Sequence, residues 1–372
     1  MLRKVSPVKD FFVCKGTLLI NGSHIKSAYP SLNILLEPQV ASEIHSDLSF
    51  PIYSPFESQT HGEAFHGKVD MVATFGGDGT ILHASSLFAA CDVVPPILSF
   101  SMGTLGFLGE WKFAEYKRAF REVYMSGAGV GDRKDVLEDP IVSEGLVNGV
   151  QTGWSSIRGK SMGAAREAKV LVRSRLKVGV YDAEGNRLNG NGQTASAGHD
   201  LHAMNEVIIH RGKDPHLAVV EVYVGRRFLT EAVADGMIIS TPTGSTAYSL
   251  SSGGSIIHPL VSSLLLTPIC PRSLSFRPLV LPASTPITLK LSEKNRGRQV
   301  EVSIDGIRRK DGIGVGTELR VCGEELRKHG ELWEGGIPCI MRRTFGGAEG
   351  HDGWVGGLNG LLKFNYPFGE ES

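Results

Sequence analysis

Three glycines surround a single carboxylate in the stretch Phe75-Gly76-Gly77-Asp78-Gly79-Thr80. Glycine has no Cβ, so these three residues can adopt unusual φ values and bring backbone N–H groups close to an anion. A carboxylate beside a phosphate is unfavourable unless it accepts a proton from a nucleophile or lies near Mg²⁺. The pattern therefore predicts a phosphate site at which Asp78 takes part in phosphoryl transfer.

This turn stands between a predicted strand and a predicted helix. Val69–Phe75 is a short, mostly apolar run, as expected of a strand buried on both faces. Ile81–Ala90 has the pattern of a helix, with Thr80 placed to cap it. A Gly-Asp-Gly tripeptide alone is more simply a surface turn, but this setting favours the phosphate site. No Gly-Lys-Ser/Thr follows, as a Walker A loop requires, and Leu82 stands at the third glycine position of a Rossmann fingerprint.

Composition excludes several classes of function. The 372 residues carry 39 basic and 39 acidic side chains and are 41% hydrophobic. Balanced charge removes the electrostatic basis for binding nucleic acid. The longest apolar stretch, near residues 260–269, is too short and too interrupted to span a bilayer, so we expect no membrane anchor. The five cysteines form no Cys-x-x-Cys pair and are expected to be reduced thiols of an intracellular protein.

The sequence predicts an α/β N-terminal open-sheet domain plus a mostly β second domain. Residues 1–125 alternate apolar runs with helical patterns, which indicates an open sheet whose ligand lies beyond the carboxyl ends of its strands. Residues 126–165 are rich in glycine and charge and are expected to be a flexible insertion or linker. From 166 to 345 the hydrophobic period changes to two, typical of a sandwich or layered sheet. The tail, residues 346–372, is predicted to dock back on the first domain.

A second dense group of polar residues is Asp235–Ser249. The hydroxyl groups and the tyrosine ring of this run suit the sugar and base of a nucleotide. A Ser/Thr-rich surface loop is the simpler alternative, but the run Met237–Ile239 before it is typical of a buried strand and favours a binding site. The polar members are Thr241, Thr243, Ser245, Thr246, Tyr248 and Ser249.

Three ordered motifs together resemble the NAD kinase family. They are Phe75–Thr80, Asn205-Glu206 within Met204–Gly212, and the Asp235–Ser249 run. Diacylglycerol, sphingosine and phosphofructo-kinases have similar glycine turns, so the first motif alone does not decide. The resemblance extends over residues 69–340, and Pro271–Pro278 is similar to the fungal branch of mitochondrial NADH kinases.

This resemblance implies transfer of a phosphoryl group from ATP, with Mg²⁺, to the 2′-hydroxyl of the adenosine ribose of NAD⁺ or NADH. It implies that Asp78 is the general base and that the phosphates lie at Gly76, Gly77, Gly79 and Thr80. Asn205 and Glu206 would hold the adenosine and its ribose. The dinucleotide pocket would be completed by Asp235, Thr243, Ser245, Thr246, Ala247 and Tyr248.

Two other functions remain open at this point. A diacylglycerol-type lipid kinase shares the glycine turn but needs a greasy acceptor pocket, whereas Thr243–Ser249 offers hydroxyls. A nucleotide-sensing module without catalysis is expected to have lost Asp78. The resemblance further implies a homo-oligomer. The basic, acid-free start Met1–Lys9 and the fungal resemblance favour the mitochondrial matrix, with the cytoplasm as the alternative.

Two features are expected to be structural. His199, His202, His210 and His216 have irregular spacing and no cysteine completes a set, so no metal site is predicted and surface or supporting roles are favoured. Asp305-Gly306, between Ile304 and Ile307, predicts a hairpin turn.

Overall fold

The structure is a computed structural model that describes residues 10–14, 24–55, 65, 68–103, 106–127, 168–188, 201–309, 312–329, 332–342, 354, 358 and 362. The predicted linker over 126–165 and the predicted docking of the tail over 346–372 fall almost entirely outside these residues. The chain divides into two units. Unit 1 comprises Met1–Ala84, Pro95–Leu171 and Pro338–Ser372, and unit 2 comprises Ser85–Val94 and Val172–Ile337. Ser85–Val94 is thus grouped with unit 2, although it lies inside the predicted first domain.

Strands dominate the described part of the chain. The helices are α1 (Pro38–Ile44), α2 (Asp78–Ser86), α3 (Tyr116–Gly127) and α4 (Tyr248–Ser251), with 3₁₀ turns at His45–Asp47, Phe113–Glu115 and Thr243–Thr246. The strands are β1 (Asp10–Cys14), β2 (Asn33–Leu36), β3 (Met71–Phe75), β4 (Ile97–Ser101), β5 (Trp111–Lys112), β6 (Val170–Arg173), β7 (Leu176–Tyr181), β8 (Arg187–Leu188), β9 (Leu201–Ala203), β10 (Glu206–His210), β11 (Ala218–Val224), β12 (Arg227–Ala234), β13 (Gly236–Ser240), β14 (Ser263–Ile269), β15 (Leu279–Pro282), β16 (Ile287–Leu291), β17 (Gln299–Ile304), β18 (Ile307–Arg308), β19 (Ile313–Gly314), β20 (Glu318–Gly323), β21 (Arg327–His329), β22 (Leu332–Glu334) and β23 (Ile337–Ile340).

Unit 1 is built on an open sheet with the strand order β2-β1-β3-β4-β23-β6, and β5 pairs with β4. The pairs β1–β2, β1–β3, β3–β4, β4–β5 and β4–β23 are all parallel. β3 and β4 are buried along their whole length, as parallel strands covered on both faces must be. Phe75 and Phe100, whose rings stack with centroids 5.1 Å apart, pack in a core that includes Phe120 of α3. The predicted α/β open sheet is confirmed.

Helix α2 has different bounds from those predicted. It begins at Asp78 and ends at Ser86, so Thr80 lies in its first turn and the prediction that Thr80 is its N-cap is wrong. After Ser86 the chain continues with i→i+3 bonds, from Phe88 N–H to the Ser85 carbonyl and from Ala89 N–H to the Ser86 carbonyl. The carbonyl of Ala89 accepts a hydrogen bond from His202 N–H, a contact between distant positions that local sequence does not encode.

Unit 2 consists of two seven-stranded antiparallel sheets and a short hairpin. The first sheet has the order β15-β14-β13-β10-β17-β18, with β19 paired to β17. The second has the order β12-β11-β16-β20-β7-β8, with β9 paired to β7, and β21 pairs with β22. Val207 and Met237 of the first sheet share one hydrophobic core with Val220 and Leu289 of the second. The predicted mostly β, layered second domain is therefore confirmed.

Alternation with period two is clear where one face of a strand is buried. β11 and β16 alternate buried and half-buried side chains, which matches the pattern in their sequence. β13 and β14 are buried at every position. Their sequences are accordingly mostly apolar, with Met237–Ile239 and Leu264–Leu266 at their centres. None of the described helices has both the length and the apolar character needed to cross a membrane.

Candidate active site

Asp78 of unit 1 is fixed by the loop that follows β4. Its Oδ2 accepts a hydrogen bond from Phe107 N–H at 2.9 Å, and its Oδ1 accepts one from Leu108 N–H at 3.1 Å. The residue opens helix α2 at the carboxyl end of β3 and is half-buried. Each oxygen keeps a lone pair after these bonds. Asp78 is thus oriented by the backbone and retains the capacity to accept a proton or another ligand.

The glycines around Asp78 differ in what a side chain at each position would meet. A Cβ on Gly76 would overlap Thr80 Oγ1, and a Cβ on Gly106 would overlap the Asp78 carboxylate. Gly77 and Gly79 are exposed, and a Cβ built on either meets no protein atom within 4 Å. Protein packing therefore explains Gly76 and Gly106. The glycines at 77 and 79 leave the backbone open to an approaching group.

The backbone N–H groups of the four residues predicted to contact phosphate also fall into two groups. Gly76 N–H donates to the Phe100 carbonyl and Thr80 N–H donates to the Gly77 carbonyl. These two N–H groups hold the turn together. The exposed backbone at Gly77 and Gly79, at the start of a nine-residue helix, is the part of the turn whose dipole and N–H groups suit an anion.

In unit 2, Asn205 and Glu206 stand at the start of β10 with side chains that are almost fully buried, each residue being 6% exposed. Asn205 Oδ1 and Glu206 Oε2 are buried atoms without a hydrogen-bond partner among the described residues. A buried acceptor left unpaired costs roughly 1–3 kcal/mol. Two such atoms on neighbouring residues are suited to a ligand that brings hydroxyl or N–H donors.

Asp305 fixes the backbone that carries these two side chains. Its Oδ2 accepts a hydrogen bond from Met204 N–H at 2.7 Å, and its Oδ1 accepts from Asn205 N–H at 2.7 Å and Glu206 N–H at 3.1 Å. The predicted hairpin turn is confirmed, because Ile304 pairs with Ile307 and both turn residues have positive φ, 47° and 79°, as a type I′ turn requires. The same aspartate also holds Asn205 and Glu206 in place.

Burial is the main cause that raises the pKa of Glu206 to about 7, and the nearby charge of Asp305 adds to it. Burial raises the pKa of Asp305 too, against the effect of its three backbone N–H donors. Buried carboxyl groups with a raised pKa are frequent at binding and catalytic sites. Glu206 is therefore a group that can donate a hydrogen bond at low pH and accept one above neutrality.

The Thr/Ser-rich loop contacts Asn205 directly. Thr241 N–H donates to the Asn205 carbonyl at 2.9 Å, and a Cβ on Gly244 would overlap that same carbonyl oxygen. Gly244 is thus required for the loop to lie against the start of β10. Thr246 and Ala247 are half-buried and Tyr248 is 41% exposed, so these three predicted site residues are open to a ligand.

Several hydroxyls of this loop form internal hydrogen bonds. Ser245 is fully buried; its Oγ donates to the Pro242 carbonyl at 2.6 Å and accepts from Ile257 N–H at 2.9 Å. Thr243 is buried and its Oγ1 accepts from Arg173 Nη1 at 3.5 Å. Thr241 Oγ1 donates to the Met204 carbonyl at 2.6 Å. These hydroxyls shape the loop, and their residues are almost fully buried, with at most 4% of their surface exposed.

Asp235 lies at the other end of β13 from this loop. In the antiparallel pair β10–β13, Glu206 faces Ser240 and His210 faces Gly236, so Asp235 is roughly 17 Å of extended strand away from Ser240. Its Oδ1 is ion-paired with Arg211 Nε at 2.5 Å. The structure therefore does not bring Asp235 together with Asn205, Glu206 and Thr246.

Sequence reasoning missed the supporting roles of Asp305, Gly106 and the backbone of Phe107 and Leu108. The Asp-Gly pair at 305–306 predicts the turn. It does not predict that the Asp305 carboxylate accepts backbone N–H groups about 100 residues earlier in the chain. Gly106 lies in the loop that follows β4, and its proximity to Asp78 follows from the parallel pairing of β3 with β4.

Comparison with known proteins places both units in one family context. The family model described as ATP-NAD kinase N-terminal domain matches residues 31–128, and that described as ATP-NAD kinase C-terminal domain matches residues 204–322. The chain is 39% identical over 356 residues to the Schizosaccharomyces pombe protein named NADH kinase pos5, mitochondrial, a match that covers 95% of this chain and 72% of that protein.

Two further matches agree. The Saccharomyces cerevisiae protein named NADH kinase POS5, mitochondrial, is 34% identical over 374 residues, which cover 93% of this chain and 76% of that protein. The crystal structure of yeast NADH kinase complexed with NADH matches with a TM-score of 0.70 at 32% identity, covering 99% of this chain and 91% of the yeast chain.

Proposed function

The chain belongs to the NAD kinase family, and from that premise we propose that it transfers the γ-phosphoryl group of ATP to the 2′-hydroxyl of the adenosine ribose of NAD⁺ or NADH. The observation that carries the proposal is the Asp78 carboxylate, which two backbone N–H groups hold at the first residue of a helix behind the glycine turn. Nothing supports the lipid-kinase alternative.

Asp78 acts as the general base in this proposal. It accepts the proton of the 2′-hydroxyl as that oxygen forms a bond to the γ-phosphorus, and the bond from the γ-phosphorus to the oxygen of ADP breaks. Since phosphoryl transfer depends on alignment and on charge stabilisation, the rigid placement of Asp78 is the contribution of the protein that matters most. The exposed backbone at Gly77 and Gly79 and the start of α2 stabilise the phosphate charge.

Mg²⁺ enters the proposal together with ATP. Magnesium is usually held by phosphate oxygens and one or two carboxylates, and Asp78 fits because each of its oxygens retains a lone pair beyond its one backbone hydrogen bond. When bound, the ion would neutralise charge on the phosphates.

Asn205 and Glu206 bind the adenosine part of the dinucleotide in this proposal. Their unpaired buried oxygens, Asn205 Oδ1 and Glu206 Oε2, accept hydrogen bonds from ribose hydroxyls or the adenine amine. Thr246, Ala247 and Tyr248 supply the open side of this pocket, with the Tyr248 ring available for stacking. Asp305 positions the group without touching the substrate.

Direct assay of the purified full chain tests the function. The protein is incubated with ATP and Mg²⁺ together with NAD⁺, NADH or diacylglycerol in parallel, and NADP(H) and phosphatidic acid are measured. We expect NADP(H) from at least one dinucleotide and no phosphatidic acid. A protein that binds the dinucleotide but forms no NADP(H) would be a nucleotide-sensing module and would refute the proposal.

The preferred dinucleotide and the compartment are proposed together. Both named fungal relatives are mitochondrial NADH kinases, so we propose that this chain acts in mitochondria and accepts NADH at least as well as NAD⁺. The ratio of kcat/KM for NADH over NAD⁺ and fractionation of the tagged full-length protein test this. A cytosolic protein with a strong NAD⁺ preference would refute it.

A further inference from the structure

We propose that Asp92, His202 and Glu324 form a binding site in unit 2 for one Zn²⁺-type divalent ion, separate from the site of phosphoryl transfer. One ligand atom from each residue lies within 4.8 Å of the other two. The described residues contain no second group of three such side chains. One imidazole nitrogen and two carboxylate oxygens are ligands that Zn²⁺ accepts, and three protein ligands leave one position for water.

The hydrogen bonds of His202 leave one ring nitrogen for a cation. Nδ1 lies 2.8 Å from the Ala89 carbonyl oxygen, which can only accept, so Nδ1 carries the hydrogen. Nε2 lies 3.4 Å from Glu324 Oε1, a second acceptor. An acceptor that faces Nε2 is satisfied either by a second ring proton or by a metal ion bound to Nε2. A histidine that donates from Nδ1 to a carbonyl is the arrangement that presents Nε2 to a metal.

Surroundings of the ring favour the metal over the second proton. His202 is buried, with 6% of its surface exposed. A second ring proton would place a charged imidazolium in this buried position, facing a Glu324 oxygen that already accepts from the Arg175 guanidinium at 2.6 Å. A neutral ring whose Nε2 lone pair points at a carboxylate gains most from a cation placed between them.

Glu324 is held in one orientation by groups outside the proposed ligand set. Arg175 donates to it twice, from Nε to Oε2 at 2.8 Å and from Nη2 to Oε1 at 2.6 Å, and Gly336 N–H donates to Oε2 at 2.7 Å. The Arg175 guanidinium is itself fixed by the carbonyls of Phe88 and Cys91. Hydrogen-bonded carboxylates of this kind are usual around metal ligands, whose geometry the outer groups maintain.

Charge at the site permits a divalent cation. Asp92, Glu324 and Arg175 together carry one net negative charge. Zinc sites with three neutral histidines show that Zn²⁺ binds even to ligands without negative charge. Arg327, whose charge interacts with Asp92, is neutralised by its own ion pair with Glu325 at 2.8 Å. Asp92 is exposed, and all three residues line a cavity of about 800 Å³ in unit 2. An ion therefore has a route to the ligands.

Three separate segments would be joined by the ion: the Ser85–Val94 segment, strand β9 and the end of β20. A ligand that binds only the folded state stabilises it by mass action. We therefore expect Zn²⁺ to raise the thermal midpoint of the protein by several degrees, whether or not ATP or dinucleotide is present.

Metal binding is measured on the full chain after chelator treatment and dialysis, by equilibrium dialysis with Zn²⁺, Mn²⁺ or Mg²⁺ and elemental analysis. We expect one tightly bound Zn²⁺ per chain, weaker Mn²⁺ and negligible Mg²⁺ at this site. Asp92→Asn and His202→Gln should each weaken Zn²⁺ binding by at least about tenfold and remove the zinc-dependent rise in thermal midpoint.

Matched controls are Glu184→Gln, an exposed carboxylate outside the proposed site, and His216→Gln, an exposed histidine. Both should bind Zn²⁺ within about twofold of the original chain. Asp92→Asn changes an exposed side chain, so its thermal midpoint without metal should match that of the original protein and show that it folds. Zinc that remains bound in both ligand variants would belong to other groups, such as the exposed thiol of Cys270, and would overturn the proposal, as would no binding at all.

Discussion

Asp78 and its hydrogen bonds define what substitution at this residue should do. Asp78→Asn removes the proton acceptor, and we expect kcat to fall by about 10²–10⁴-fold, the usual contribution of a general base. Affinity for NAD(H) should stay within a few-fold, because the dinucleotide contacts of Asn205 and Glu206 are unchanged. Steady-state kinetics and equilibrium binding to the same preparation measure both quantities.

One side effect of this substitution needs a control. Both Asp78 oxygens accept backbone N–H groups, so an asparagine must place its NH₂ group against one of these donors. A thermal midpoint within a few degrees of the original protein would show that the loop after β4 is intact. Unchanged turnover in a folded variant would exclude Asp78 as the base.

Gly77 and Gly106 allow a sharper comparison, since alanine should affect them in different ways. No protein atom lies within 4 Å of a Cβ on Gly77, whereas a Cβ on Gly106 would overlap the Asp78 carboxylate. We expect Gly77→Ala to fold normally and to raise KM for ATP by at least tenfold. Gly106→Ala should displace Asp78 and reduce kcat.

Kinetics and thermal denaturation of both glycine variants check this contrast. Intact ATP affinity in Gly77→Ala would mean that the turn is only a surface feature. A normal kcat in Gly106→Ala would show that the position of Asp78 is not critical.

Glu206 should make the stability of unit 2 depend on pH. Its pKa is raised from 4.5 to about 7 in the fold, so between these values the folded protein keeps a proton that the unfolded chain has released. The free energy of unfolding from this group therefore falls as the pH rises through that window. Glu206→Gln removes the buried charge, and we expect it to stabilise the ligand-free protein by on the order of 2 kcal/mol at about pH 8.

Urea denaturation at about pH 8 and about pH 4 measures the effect. Near pH 4 the variant and the original protein should be equally stable, because Glu206 is protonated in both states. Glu184→Gln, at an exposed turn position, is the matched control and should change neither value. A Glu206→Gln variant that is less stable at high pH would contradict the assigned direction.

Among the elements, the β17–β18 hairpin has a role that extends beyond its own strands. Its turn residue Asp305 accepts three N–H groups at the start of β10. Asp305→Asn weakens these charged hydrogen bonds, and we expect a loss of about 1–3 kcal/mol in unfolding free energy together with at least tenfold weaker NAD(H) binding.

Asp182→Asn provides the comparison for Asp305→Asn. Asp182 Oδ1 accepts Asn186 N–H at 2.7 Å in the β7–β8 turn, so its loss should lower stability without changing affinity. Equal dinucleotide affinity in the two variants would show that Asp305 is a turn residue and nothing more.

Strands were predictable from sequence because their signal is local. The run Val69–Phe75, predicted as a strand, ends where β3 ends, and the run Met237–Ile239 lies within β13. Alternation reports burial of one face, and continuous apolar runs report burial of both. The glycine turn and the Asp305-Gly306 hairpin were predictable for the same reason, since turn chemistry depends on adjacent residues.

Side-chain partners across the fold were not predictable. Ser245 was predicted as a ligand contact, and in the structure its hydroxyl donates to the Pro242 carbonyl and accepts from Ile257 N–H. Arg175 stands on the basic side of an alternating run, yet it is 1% exposed and pairs with Glu324, 149 residues away. Local periodicity gives the direction of a side chain. It does not give the partner that a distant segment supplies.

For the whole molecule, self-association is the remaining prediction, and the edges of the two sheets in unit 2 give it a physical basis. β12 and β15 are the terminal strands of their sheets. Phe228 and Leu229 on β12 are 59% and 45% exposed, Val280 on β15 is 53% exposed, and Leu274 just before it is 88% exposed. Uncovered apolar edge strands are aggregation hazards in a monomer and are commonly buried in symmetric interfaces.

We therefore expect the protein to be larger than its 40.1 kDa chain at micromolar concentration, as measured by light scattering on a sizing column. Leu229→Glu combined with Leu274→Glu should shift it toward the monomer, because each charge would be buried without a partner in the interface. Leu260→Glu is the control: Leu260 is 71% exposed but lies on the segment before β14, so its mass should not change. A monomeric original protein would refute the oligomer, and an unchanged mass in the double variant would place the interface on another surface of the chain.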